Sequence, residues 1–213
     1  TDVAVPADFS SAAFFLVAAS LAGGSGLLLR NVGVNPTRIG LLDMLVSMGA
    51  DIRLHRHGDE LPEPVADIEV RPAPLRGIRV PEALVPLAID EFPVFFVAAA
   101  CAEGETLVRG AEELRVKESD RLASMSAGLA ALGVEHELLP DGMWIRGRPG
   151  PGPAFSGGSI DSRGDHRIAM SFAVAAIRAA APIRIHDTAN VATSFPGFAA
   201  LARSVGLDLR ERA

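Results

Sequence analysis

Three short runs of the chain hold residue types suited to acid–base chemistry on a small anion. They are Ile89-Asp90-Glu91-Phe92-Pro93, Arg115-Val116-Lys117-Glu118-Ser119-Asp120-Arg121 and Gly164-Asp165-His166-Arg167. Each opens a segment whose apolar residues recur at helical spacing. Acids at a helix start need no ligand, because they complement the positive end of the macrodipole and cap free N–H groups. That covers Asp8, Asp90 and Asp165. It does not cover Arg115, Lys117, Arg121, His166 and Arg167, since a cation at that end opposes the dipole by a few tenths to about 1 kcal/mol. A bound phosphate or carboxylate removes the conflict. The competing reading has Glu118 and Asp120 neutralising the nearby cations on a solvated face, and the recurrence of the pattern at His166 and Arg167 weighs against it. Two carboxylates among such cations, Asp90 and Glu118, can take opposite proton-transfer roles if their surroundings separate their pKa values.

The elements that must position these runs repeat along the chain with a period of about eighty residues. Each copy opens with an apolar, alanine-rich segment: Phe14 to Leu21, Val94 to Ala102, and Ile168 to Ala180. A short strand follows, at Leu27 to Arg30, Thr106 to Arg109, and Ile183 to His186. An amphipathic helix comes next, with matching apolar positions Leu41, Leu45, Met48; Met125, Leu129, Leu132; and Phe198, Ala202, Val205. Gly49, Gly133 and Gly206 then end the helices and lead into a further strand.

The first helices are apolar nearly all round and should be buried on every side, whereas the strands carry polar residues between apolar ones. The fold class expected is therefore an inside-out α/β arrangement, helices inside and sheets outside. One domain over 1–213, built from three βαβ-type units at about 8–80, 81–160 and 161–213, is the simplest organisation. Between the first two copies, Ile68-Glu69-Val70 and Ile78-Arg79-Val80 read as short strands separated by turns. Arg148 to Ser159, rich in Gly, Pro and Ser, reads as a surface loop.

Composition narrows the partners. A net charge of −6 argues against a nucleic-acid surface, which needs a basic excess. No uncharged run reaches the ~20 residues of a membrane span, and no signal-peptide pattern is present. The single cysteine, Cys101, lies in an apolar run and reads as a buried small hydrophobe; a reducing, cytoplasmic setting fits. His55, His57 and His136 lack metal-ligand spacing. Gly23-Gly24-Ser25-Gly26 joins a helix to a strand, the wrong order for a phosphate-binding or dinucleotide loop.

The three runs, with Asp165-His166-Arg167-Ile168-Ala169-Met170 read as a whole, resemble late motifs of the 5-enolpyruvylshikimate-3-phosphate (EPSP) synthase family. Asp8-Phe9-Ser10-Ser11-Ala12, Asn35-Pro36-Thr37-Arg38 and Ala192-Thr193-Ser194-Phe195-Pro196 match in the same order, so the likeness covers nearly the whole chain. The resemblance implies transfer of the enolpyruvyl group of phosphoenolpyruvate to the 5-hydroxyl of shikimate 3-phosphate, with release of phosphate and no metal or organic cofactor. By that likeness Glu118 is the acid–base residue at the methylene carbon and Asp90 the base at the attacking hydroxyl. Lys117 contacts shikimate 3-phosphate, Arg121 and Arg167 bind phosphoenolpyruvate, and His166 stands beside them.

Two positions depart from the pattern: Thr193, where some members have lysine, and Glu113, where others have asparagine. The family has two such domains with the site between them. The chain, which opens at Thr1 without Met, is then expected to be the C-terminal part, holding half a site and inactive without the N-terminal domain. Two other readings stand beside this one. A free-standing anion-binding module would leave Asp90 and Glu118 without a task. A UDP-N-acetylglucosamine enolpyruvyl transferase would share the fold, but resembles the three runs poorly.

Overall fold

The computed structural model describes residues 5–57 and 63–211. The first third contains α1 (Phe9–Leu21), β1 (Leu27–Gly33), α2 (Gly40–Ser47), β2 (Asp51–Arg56) and β3 (Val65–Arg71). The second contains α3 (Phe92–Ala100), β4 (Glu105–Val108), α4 (Arg121–Ala131), β5 (His136–Leu139) and β6 (Gly142–Arg146). The last contains β7 (Gly158–Asp161), α5 (His166–Ala175), β8 (Ile183–His186), α6 (Ala189–Ser194) and α7 (Phe198–Ser204).

Helices α1, α3 and α5 pack against one another at the centre. Every residue of α3 is buried, as is every residue of α1 except Ser11. A helix can be enclosed in this way because its backbone bonds are internal and its few buried hydroxyls find acceptors. Ser20 donates to the Leu16 carbonyl and Ser171 to the Arg167 carbonyl, one turn earlier in each case. Pro93 sits in the first turn of α3, where its missing N–H costs nothing.

The sheets lie outside these helices. Strands β1-β3-β2 form one antiparallel sheet and β4-β6-β5 another, while β7 and β8 pair in parallel. Burial along β1, β2 and β8 alternates or is partial, as half-exposed strands require. The expected α/β class with helices inside is what the chain adopts.

Four local expectations are corrected. Gly206 turns with φ 100°, but no strand follows it among the described residues; Leu209 N–H instead bonds back to the Leu207 carbonyl in a local turn. Ile78 to Val80 does not make a strand: Arg79 forms an isolated parallel bridge to Leu107 on the edge of β4, and Pro74 and Pro81 limit its extension. The loop from Arg148 is not wholly superficial, since Ala154 and Phe155 are buried and β7 begins at Gly158. The last apolar segment leaves α-helical geometry after Ala175 and continues as a 3-10 turn, Ala176–Arg178.

Candidate active site

The N-terminal ends of the three central helices meet on one rim. Asp8 caps α1 by accepting from Ser11 N–H, and Asp165 caps α5 by accepting from Arg167 N–H. Before α3 the chain instead makes a 3-10 turn, Ile89–Glu91, with no side-chain cap. Asp90 therefore does not act as a helix cap; its carboxylate is left to the cations around it. On the neighbouring α4, Asp120 caps by accepting from Ala123 N–H, which fixes Arg121 as the first helical residue.

Arg121 is the hub. It is fully buried, and each of its guanidinium nitrogens meets a different carboxylate. Nε donates to Asp165 Oδ2 at 2.9 Å, Nη1 to Asp90 Oδ1 at 3.1 Å, and Nη2 to Glu118 Oε2 at 2.5 Å. Lys117 Nζ lies 3.5 Å from Asp90 Oδ1 and 2.6 Å from Glu113 Oε1. Arg167 Nη1 donates to the Asp90 carbonyl at 3.1 Å, and its Nη2 is 4.0 Å from Asp90 Oδ2. Asp90 is thus faced by three cations, and Glu118 by one.

The charges set the protonation states. Burial pushes the Asp90 carboxyl up, but Arg167, Lys117 and Arg121 together hold it below the ordinary carboxylate value. Asp165 behaves alike: burial is outweighed by the hydrogen bond and charge of Arg121 and by Arg167 N–H. The contact with Glu113, and then Asp90, raises Lys117, which stays a cation through neutral pH. Burial and the nearby Arg167 lower His166, leaving a neutral imidazole at pH 7.

Of the residues singled out from sequence, Asp90, Lys117, Glu118, Arg121 and Arg167 are brought together, with His166 half-buried at the first position of α5. Arg115 is not part of the group. Its guanidinium turns to the Pro140 and Leu139 carbonyls and to Asp120, on the far side of the α4 start. Glu113 is bound up with Lys117, and Thr193 is exposed on α6.

Two further residues belong to this cluster. Asp165 is a counter-ion as well as a cap, and Glu91, buried beside Asp90, bonds Ser10 and Arg167. The available signal for Glu91 was a second acid directly preceding a wholly apolar helix.

Two carboxylates held about one guanidinium, and flanked by a lysine and a second arginine, have the chemistry that proton transfer next to a bound anion requires. A model of the EPSP synthase (3-phosphoshikimate 1-carboxyvinyltransferase) family matches residues 1–201. The chain belongs to the EPSP synthase family.

Relatives agree with the family match. The 3-phosphoshikimate 1-carboxyvinyltransferase of Methylococcus capsulatus is 59% identical over 98% of the chain and 47% of its own length. That of Alkalilimnicola ehrlichii is 62% identical over 98% and 46%. A solved EPSP synthase from Acinetobacter baumannii superimposes with a TM-score of 0.92 at 50% identity, covering 95% of the chain and 46% of that structure. The enolpyruvyl transferase NikO from Streptomyces tendae, at 20% identity and a TM-score of 0.73, shares the fold. The chain spans about half the length of the curated EPSP synthase relatives it matches.

Proposed function

We propose that the chain is one of the two domains of an EPSP synthase, organised as three units over about 8–80, 81–160 and 161–213, and that it supplies the acid–base residues and the phosphoenolpyruvate clamp. The whole enzyme would transfer the enolpyruvyl group of phosphoenolpyruvate to the 5-hydroxyl of shikimate 3-phosphate in aromatic amino-acid biosynthesis. The observation that carries this reading is the sharing of Arg121 by Asp90 and Glu118, at 3.1 and 2.5 Å.

In this account phosphoenolpyruvate docks against Arg121 and Arg167, and an anion arriving at Arg121 displaces the half-exposed Glu118 from Nη2. Glu118, freed from Arg121 and carrying a proton taken from solvent, then gives that proton to the methylene carbon. The 5-hydroxyl oxygen bonds to the adjoining carbon as Asp90, ionised at neutral pH, takes the hydroxyl proton. The product of this step is a tetrahedral adduct. Its carbon–phosphate oxygen bond then breaks, phosphate leaves with the proton that Asp90 had taken, and a methyl proton returns to Glu118 to restore the double bond. Lys117, kept cationic, contacts the shikimate 3-phosphate beside Asp90. His166, neutral, is a hydrogen-bonding partner at the α5 end of the site. Alignment of two anions by fixed cations supplies a large share of rate in a two-substrate reaction.

The remaining contacts would come from the N-terminal domain. Among the described residues no helix is long and apolar enough to cross a membrane. A cytoplasmic enzyme acting on small phosphorylated acids fits the site. The test is complementation: each half is assayed alone for phosphate release from the two substrates, and then the two are mixed. Inactive halves and an active mixture are expected. Robust turnover by this chain alone, or none by the mixture of folded halves, would overturn the proposal.

A further inference from the structure

A second hydrogen-bonded chain runs beneath the catalytic group and ties together the ends of all three central helices. Ser10, in the first turn of α1, donates its hydroxyl proton to Glu91 Oε1 at 2.5 Å. The same carboxylate oxygen accepts from Arg167 Nη1, at the start of α5, at 3.4 Å. Ser10 Oγ in turn accepts from Arg38 Nη2 at 3.3 Å. Ser10 and Glu91 are both buried, at 5% and 3% exposure. A carboxylate so placed is costly to desolvate unless it is paired, so its retention at this point calls for a partner that needs it. Arg167 is that partner. Its long side chain loses rotamer freedom when fixed, and two acceptors, Glu91 Oε1 and the Asp90 carbonyl, fix it from the α3 side.

We infer that Glu91, locked by Ser10, is a positioning residue that holds Arg167 in the orientation from which it grips the substrate anion. The inference rests on the reading of Arg167 as a phosphoenolpyruvate ligand. Glu91 itself never touches substrate. The groups facing its carboxylate are Ser10, Arg167, Arg38 and the neighbouring Asp90. Burial, set against Ser10 and Arg167, raises its pKa.

The role depends on reach more than on charge, and this separates it from a general electrostatic one. Glu91→Asp keeps the charge but shortens the side chain, so that it no longer spans Ser10 and Arg167. Glu91→Gln keeps the span and discards the charge. In the complete two-domain enzyme, Glu91→Asp should raise the phosphoenolpyruvate KM about tenfold, with the shikimate 3-phosphate KM and kcat little changed. Glu91→Gln should stay within about threefold, and Ser10→Ala, the mildest change to the fold, should shift the same KM in the same direction as Glu91→Asp. If Glu91→Gln proves the worse variant, or if all three lower melting temperature and leave KM untouched, positioning is refuted.

A wild-type complete enzyme without turnover would instead count against the functional reading. The positioning claim is then decided on this chain by the NMR signal of Arg167 Nε–H. An ordered, slowly exchanging signal in the wild type that averages in Ser10→Ala supports it; an identical signal in both refutes it.

Discussion

Arg121 and Asp165 form an ion pair closed to solvent at both ends, Nε to Oδ2 at 2.9 Å. It joins the first residue of α4 to the cap of α5, 44 positions apart in sequence. Asp165 is also bonded by Ser119 Oγ at 3.1 Å and by Arg167 N–H at 2.9 Å, so its two oxygens serve three donors. A buried pair of this kind adds little over an apolar substitute, yet breaking one side leaves a charge stranded. Its worth here is orientation: it fixes the guanidinium whose other nitrogens hold Asp90 and Glu118.

Asp165→Asn should therefore destabilise the chain by about 3 kcal/mol in urea unfolding at pH 7. The pH dependence has a definite sign. Asp165, and Asp90 beside it, have folded pKa values below their unfolded values of about 3.9. The stability they add is present above that value and drains away as pH falls through the lowered folded values. The urea midpoint should drop steeply below about pH 4 in the wild type and less steeply in Asp165→Asn. A variant as stable as the wild type, or one with an unaltered acid slope, would refute this role.

The spacing of α4 and α5 depends on a glycine. A Cβ on Gly128 would lie 2.2 Å from Cζ of Phe172, a fully buried ring of α5. Gly128→Ala gains about 1 kcal/mol of helix propensity. Overpacking of 1–3 kcal/mol outweighs it in a site with no slack. The expected result is a net loss of about 1 kcal/mol in denaturant unfolding. In the complete enzyme, kcat/KM should fall as well, because parting the helices pulls Arg121 from Asp165. A gain in stability would show that the ring moves aside freely.

One buried hydroxyl works against the fold. Thr106, in β4, is 1% exposed, and its Oγ1 is the one buried side-chain polar atom without a partner among the described residues. Thr106→Val keeps the shape and the strand preference while removing the unmet hydroxyl. A gain of about 1 kcal/mol is expected from urea titration. A loss of similar size would mean that the hydroxyl is bonded in solution.

How far the sequence reveals this arrangement depends on whether a signal is local. The enclosed helices were legible because α3 has no polar residue to face water. The gathering of charge at the helix starts was legible because Arg121, His166 and Arg167 open α4 and α5 against the dipole, whereas Arg115 and Lys117 precede α4 and are not in its first turn. The division between Arg115 and Arg121 was not. Both are arginines of one short run, and the carbonyls of Leu139 and Pro140, over twenty residues away, join Asp120 in drawing the first one off. Asp165 read as a cap because capping is local, whereas its pairing with Arg121 arises from helix packing. Gly206 carries the same signal as Gly49 and Gly133, but a strand forms only where a neighbour supplies its hydrogen bonds. His166 shows the same limit: its lowered pKa reflects burial and Arg167, a matter of depth more than of spacing.

In the proposed reaction Glu118 moves a proton at the reacting carbon while the cations hold the anion, and the decisive variant is Glu118→Gln in the complete enzyme. The amide keeps the size of the side chain and its contact with Arg121 but cannot cycle a proton. A fall in kcat of about a hundredfold or more is expected, with phosphoenolpyruvate binding retained. An unchanged kcat would contradict it and leave the chain an anion-binding module.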